Sequence, residues 1–195
     1  CIALPIPGPS TEPIRGPSTE PIPGPSSGPR AGPNVGHVVD MLMGFAAHLG
    51  AHSQPEHWPL VIPDAAHEFR LKHLGAHCNY AVISACSSHP LRNWHVEGYA
   101  AVADALAERG LRVVLVGGRN ALELSMGQAI VQACKHPPLD LIGQDTLKEL
   151  LAVLAKARVL ITPDSGPAHF ASALGTPVVA LHAATDAQRS GPYRF

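Results

Sequence analysis

A doubly wound α/β fold with a parallel sheet is predicted by three features of this sequence. From Tyr80 onward, apolar runs of four or five residues alternate with stretches of helical periodicity. Those stretches are long enough to cross over a sheet, so successive strands pair in parallel through right-handed connections. A turn of special composition, Asp164-Ser165-Gly166-Pro167-Ala168-His169, then joins one such strand to one such helix.

The elements follow in order. From Gly36 to Leu49, the residues Val38, Val39, Met41, Leu42, Phe45, Ala46 and Leu49 recur at helical spacing, and Gly50 can end the helix. Pro55, Pro59 and Pro63 mark a linker that holds a short expected strand at Leu60 to Ile62. A helix follows from Asp64 to Leu74, stopped by Gly75. Strands are expected at Tyr80–Ser84, Arg112–Val116, Leu139–Ile142, Val159–Thr162 and Val178–Leu181. Helices are expected at Val96–Arg109, Ala121–Cys134, Leu147–Ala157 and Pro167–Leu174. In such a sheet, ligands bind beyond the carboxyl ends of the strands, where the loops at 85–93, 117–121, 143–146 and 163–166 emerge.

The first residues are of another kind. Residues 5–28 repeat an eight-residue unit, Pro-Ile-Pro-Gly-Pro-Ser-Thr-Glu in its first copy. Proline at this density removes donors and fixes φ, and the repeat has too little apolar surface to offset the entropy of ordering. A disordered or polyproline-like tail is expected there.

Hydrophobic residues make up 46% of the 195-residue chain, enough for a core, while aromatics at 5% leave the packing to aliphatic side chains. A net charge of −1 offers no electrostatic footprint for nucleic acid. The four cysteines, Cys1, Cys78, Cys86 and Cys134, have no paired spacing and are expected as free thiols in a reducing compartment. No run approaches the ~20 apolar residues of a membrane span, and no signal-type segment opens the chain. The expected setting is the cytoplasm.

The turn at Asp164–His169 makes an anion site. Asp164 or Ser165 can cap the helix, Gly166 allows close backbone approach, and Pro167 suits a first helical position. The exposed amides and the positive end of the helix dipole favour a phosphate.

This block resembles the nucleotide-sugar side of the heptosyltransferases, glycosyltransferases of the GT-B fold. The resemblance extends to Ser84-Ala85-Cys86-Ser87-Ser88-His89-Pro90-Leu91-Arg92-Asn93-Trp94, to Leu111–Gly118, and to Asp140-Leu141-Ile142-Gly143 with Thr146–Leu150. It covers roughly residues 34 to 195. It implies a Rossmann-like C-terminal domain at 79–195, truncated at its C-terminus. Residues 34–78 would be a remnant helix of the N-terminal domain with the interdomain linker, and 1–33 a low-complexity tail.

The resemblance also implies roles. Ser87 and Ser88 match hydroxyl positions that contact the phosphates, and Arg92 matches a basic position, often lysine, that compensates the departing diphosphate. Glu123 matches an acidic position that binds the ribose hydroxyls. Asp164 and His169 match positions near the sugar and diphosphate, with Ser165 and Gly166 as backbone donors. The implied reaction transfers heptose from ADP-heptose to the lipopolysaccharide inner core with inversion, and uses no cofactor beyond the donor. The core acceptor would be the partner that brings the chain to the inner face of the bacterial inner membrane. The family's catalytic base lies in the N-terminal domain, so no catalytic residue is assigned. Two readings stay open: a transferase donor domain, or an inactive or structural nucleotide-binding fragment.

Other chemistries fit less well. Pro163-Asp164-Ser165-Gly166-Pro167 lacks the first glycine of a hydrolase nucleophile elbow, and no Gly-x-Gly-x-x-Gly follows a strand. His48 with His52 and His73 with His77 lie at helical spacing, but two ligands do not make a metal site. Trp58 and Trp94 are expected to pack rather than to serve as sugar platforms.

Overall fold

The computed structural model describes residues 36–51, 58–76 and 79–193. The Pro-rich repeat, His52, His77, Cys1 and Cys78 lie outside the described residues.

Five strands form one parallel sheet in the order β3-β2-β1-β4-β5. They are β1 (Tyr80–Ile83), β2 (Arg112–Leu115), β3 (Leu139–Asp140), β4 (Val159–Pro163) and β5 (Val178–Leu181). The helices are α1 (Val38–His48), α2 (Asp64–Leu74), α3 (Val96–Glu108), α4 (Ala121–Ala133), α5 (Leu147–Leu154), α6 (Gly166–Ala173) and α7 (Ala187–Ser190). The predicted α/β class and every core strand and helix from Tyr80 onward are present, with ends moved by a few residues. The short α7 and a 3-10 turn at Pro90–Arg92 carry too few residues to show a period, and sequence reading missed both.

All four residues of β1 are buried because both faces of the sheet are covered. Alternation splits them. Ile83 faces the layer of α3 and α4 with Tyr99, Ala103, Leu115 and Ile130. Tyr80 and Val82 face the layer of α2, α5 and α6 with Leu74, Val114, Leu154 and Leu160. The register Ile83↔Leu115 and Ile83↔Ile161 brings the carboxyl ends of the three central strands to one level.

Leu60 to Ile62, expected as a strand, is irregular. Pro59 and Pro63 bracket the segment, and Val61 is 75% exposed. β3 is shorter than expected, because Asp140 turns its carboxylate back to the Ile142 amide at 2.9 Å. Trp94 packs as expected, edge-on to Tyr99 at 5.4 Å, and a Cβ at Gly98 would strike its ring at 2.5 Å. Trp58, by contrast, is 47% exposed.

α5 starts at a capping box that sets one wall of the site: the Glu149 amide donates to Thr146 Oγ1, and the Thr146 amide donates to Glu149 Oε2 at 2.6 Å. Thr146→Ala is expected to cost about 1 kcal/mol. Thermal denaturation should show it as a Tm lowered by about 3 °C.

Candidate functional site

The loops at the carboxyl ends of β4, β1, β2 and β3 enclose a cavity of about 590 Å³. It has two chemically distinct poles.

The first pole is the start of α6. Ser165 is its N-cap residue, with extended backbone at φ −156° and no side-chain cap bond. Its hydroxyl instead meets Thr162 Oγ1 at 2.9 Å. Neither the Asp164 nor the Ser165 side chain caps the helix, as the sequence had suggested one of them would, and the amides of Ser165 and Gly166 make no hydrogen bond among the described residues. The other helices opening on the cavity differ. α4 is capped by the Asn120 side chain and α5 by the Thr146 side chain, whereas α6 has no side-chain cap.

Arg92 reaches this pole from the 3-10 turn after β1, and its Nη1 lies 3.7 Å from Asp164 Oδ2. The turn is internally braced. The Ser87 amide donates to Asn93 Oδ1 at 2.7 Å, and the Ser87 hydroxyl donates to the His89 carbonyl at 3.1 Å. Ser87 thus spends its hydroxyl within the loop, while Ser88 stands exposed on the cavity wall. Asn93, not singled out as a site residue, does the bracing. His169 is exposed on the first turns of α6 and lines the cavity.

The second pole is acidic. Glu123 accepts from the Gly118 amide at 2.6 Å and from the Asn120 side chain. A Cβ on Gly117 would lie 2.5 Å from Glu123 Oε2, so glycine there is what lets the carboxylate close on the turn. The Asn120 cap of α4, whose side-chain oxygen accepts from the Glu123 amide at 3.0 Å, was legible in principle as an Asn-x-x-Glu signature. Asp145, which sequence reading passed over, completes this pole beside Leu147 and Leu150.

Two further groups bound the chemistry. Burial, reinforced by Glu123, pushes the Cys86 thiol up to about 11, so the cavity offers no thiolate nucleophile at neutral pH. His182, buried after β5, holds Thr185 Oγ1 at 3.1 Å, and burial lowers its pKa, so it stands neutral. Cys86 and Cys134 are free. Among the described residues, no three of His, Cys, Asp or Glu gather as a cation site.

The sequence pattern of glycosyltransferase family 9 (heptosyltransferase) matches residues 30–194. The chain belongs to this family. It is 33% identical over 157 residues to the lipopolysaccharide core heptosyltransferase OpsX of Haemophilus influenzae, a match covering 80% of this chain and 45% of that protein. The glycosyl transferase family 9 structure from Veillonella parvula superposes with a TM-score of 0.71 at 30% identity, covering 81% of this chain and 47% of the other. The ADP-heptose lps heptosyltransferase II of E. coli superposes at 0.62 with 25% identity, covering 72% and 44%. The chain spans about half the length of the family 9 relatives it matches. Among the described residues, no helix is long and apolar enough to cross a membrane.

Proposed function

We propose that this chain is the donor-binding half of a heptosyltransferase, holding ADP-heptose for transfer to the lipopolysaccharide inner core. The observation that carries the reading is the separation of the two poles. The free amides of α6 and the Arg92 guanidinium suit a diphosphate, whereas Glu123 and Asp145 suit the hydroxyls and amine of a nucleoside. An anionic ligand group placed at the acidic end would meet like charge, so the cavity admits a nucleotide in one direction only.

In the reaction, an acceptor hydroxyl attacks the anomeric carbon, and the bond from that carbon to the diphosphate oxygen breaks. Arg92 and the α6 amides take up the charge that develops on the leaving diphosphate. Asp164 positions Arg92 and faces the sugar. The hydroxyl's proton goes to a base outside this donor site.

A second outcome is nucleotide binding without turnover, because transfer requires an acceptor to be oriented as well as the donor. Titration calorimetry with ADP and ADP-heptose tests the site itself. Arg92→Ala is expected to weaken ADP by about tenfold or more, the worth of a charge-assisted hydrogen bond. Asp164→Ala is expected to weaken ADP-heptose more than ADP. Affinities unchanged in both variants would remove the assignment.

A further inference from the structure

His182, just past β5, carries an atom that no contact accounts for. The residue is 5% exposed, and its Nε2 is buried without a hydrogen-bond partner among the described residues. The other ring nitrogen is held: Nδ1 meets Thr185 Oγ1 at 3.1 Å, which orients the imidazole. A desolvated ring nitrogen left unpaired is costly and calls for an explanation.

The sheet places a partner beside it. In the ladder between β4 and β5, Leu160 pairs with Val178, and the Leu160 amide donates to the Pro177 carbonyl. The Asp164 amide donates to the Leu181 carbonyl at 3.2 Å in the same pattern, so Asp164 and His182 lie abreast at the ends of the two strands. Neighbouring strands are about 4.8 Å apart, a gap that an imidazole and a carboxylate can bridge. The ring senses that carboxylate: burial lowers the His182 pKa, and Asp164 opposes the shift.

Asp164 is itself poorly paired. It is buried on the cavity wall, and Arg92 Nη1, at 3.7 Å, stands beyond hydrogen-bond distance. A diphosphate that engages the guanidinium leaves this carboxylate with no donor among the described residues.

We propose that His182 is a positioning residue for Asp164: when a bound diphosphate draws Arg92 away, the His182 Nε2–H replaces it as donor to the Asp164 carboxylate. The inference rests on the nucleotide reading above and adds to it a residue that does not line the cavity.

The tautomer follows from the neighbours. A bare Nε2 lone pair beside a carboxylate would be repelled, so the proton sits on Nε2 and the Thr185 hydroxyl donates to Nδ1. A neutral ring supplies a donor without adding a charge that competes with Arg92. The other charged or titratable side chains in reach are His169 on α6 and Asp186, whose carboxylate accepts from the Gln188 amide as the cap of α7.

The test is titration calorimetry of the full chain with ADP, on the parent, His182→Phe, Arg92→Ala and the two substitutions combined. His182→Phe keeps a ring and removes the donor, so ADP should bind about tenfold more weakly, the worth of a hydrogen bond to a charged group. In Arg92→Ala the carboxylate has turned to His182 before ADP arrives, so adding His182→Phe should weaken ADP by less than about twofold. The partner lost by Thr185 is common to both backgrounds and cancels. His182→Gln, whose amide offers a donor, should bind ADP within about twofold of the parent. In the parent labelled with 15N-histidine, the His182 Nε2–H proton, assigned by its absence from His182→Gln, should move downfield as ADP is added and stay in place in Asp164→Asn. An equal loss in both backgrounds would leave His182 as a support of the β5 end and overturn the proposal. So would undiminished affinity of His182→Phe, or, where that variant does not fold, an Nε2–H signal indifferent to ADP. A parent that does not bind ADP would instead bring down the nucleotide reading on which the role depends.

Discussion

Ser165→Asp is expected to abolish nucleotide binding, with ADP affinity falling more than about a hundredfold, while the protein stays folded. The reason is the unused helix terminus. Ser165 occupies the N-cap of α6 without capping it, and Pro167 in the first turn has no amide to give. An aspartate there would meet the positive end of the dipole, a gain of about 0.5 kcal/mol, since the Ala168 amide already donates to the Ser165 carbonyl at 3.1 Å. It would lose the hydroxyl contact to Thr162 and gain a like-charged neighbour in Asp164, which offsets that gain. The Tm should therefore move by no more than about 2 °C. A diphosphate, however, would face a carboxylate lodged where its own oxygens must sit. Paired thermal denaturation and ADP titration check both halves. Retained affinity would place the phosphate somewhere other than α6.

That prediction depends on something the sequence only half disclosed. The strand-turn-helix at Asp164–His169 was readable because Gly166 and Pro167 punctuate an apolar strand and a helical pattern at a fixed offset. Whether a side chain would fill the helix terminus was not readable. Ser165 can bond forward to α6 or back to Thr162, and the backbone angle at the cap decides between them. The pairing of Arg92 with Asp164 was hidden for a different reason. Residues far apart in sequence meet only because β1 and β4 are neighbours in the sheet. Alternation of strands and helices announces a parallel sheet but does not state its strand order.

Asp145 shows the reverse limit. Beside the strong Thr146–Glu149 capping signature, an aspartate one residue earlier reads as an ordinary polar loop residue. Its distinctive property, a carboxyl half removed from water with no hydrogen-bond donor beyond its own amide among the described residues, belongs to the cavity rather than to the local sequence. The false strand at Leu60–Ile62 has the same origin. Three apolar residues satisfy a strand pattern, but a strand also needs a free edge beside it, and Pro59 and Pro63 keep this segment from pairing.

Leu154→Ala carries the largest expected loss of stability, about 2–5 kcal/mol, equivalent to a Tm lowered by about 6–15 °C. Leu154 ends α5 with no exposed surface and belongs to the core formed with Leu74 of α2, Val82 of β1 and Leu160 of β4. Its backbone is also pinned, since the Thr176 hydroxyl donates to the Leu154 carbonyl at 2.8 Å in a buried setting. The helix end is thus held from two sides, and its side chain cannot be replaced by a small backbone shift, so truncation leaves a void rather than a collapse. Leu71→Ala on α2, where leucine is 45% exposed, serves as the control and should change stability by less than about 0.5 kcal/mol. Because Leu154 lies at the far end of α5 from Thr146 and Asp145, the folded fraction of Leu154→Ala at 25 °C should bind ADP as the parent does. Chemical denaturation combined with titration separates the two quantities. A loss of affinity larger than the unfolded fraction explains would mean that the wall formed by the start of α5 is held in place by packing at its end.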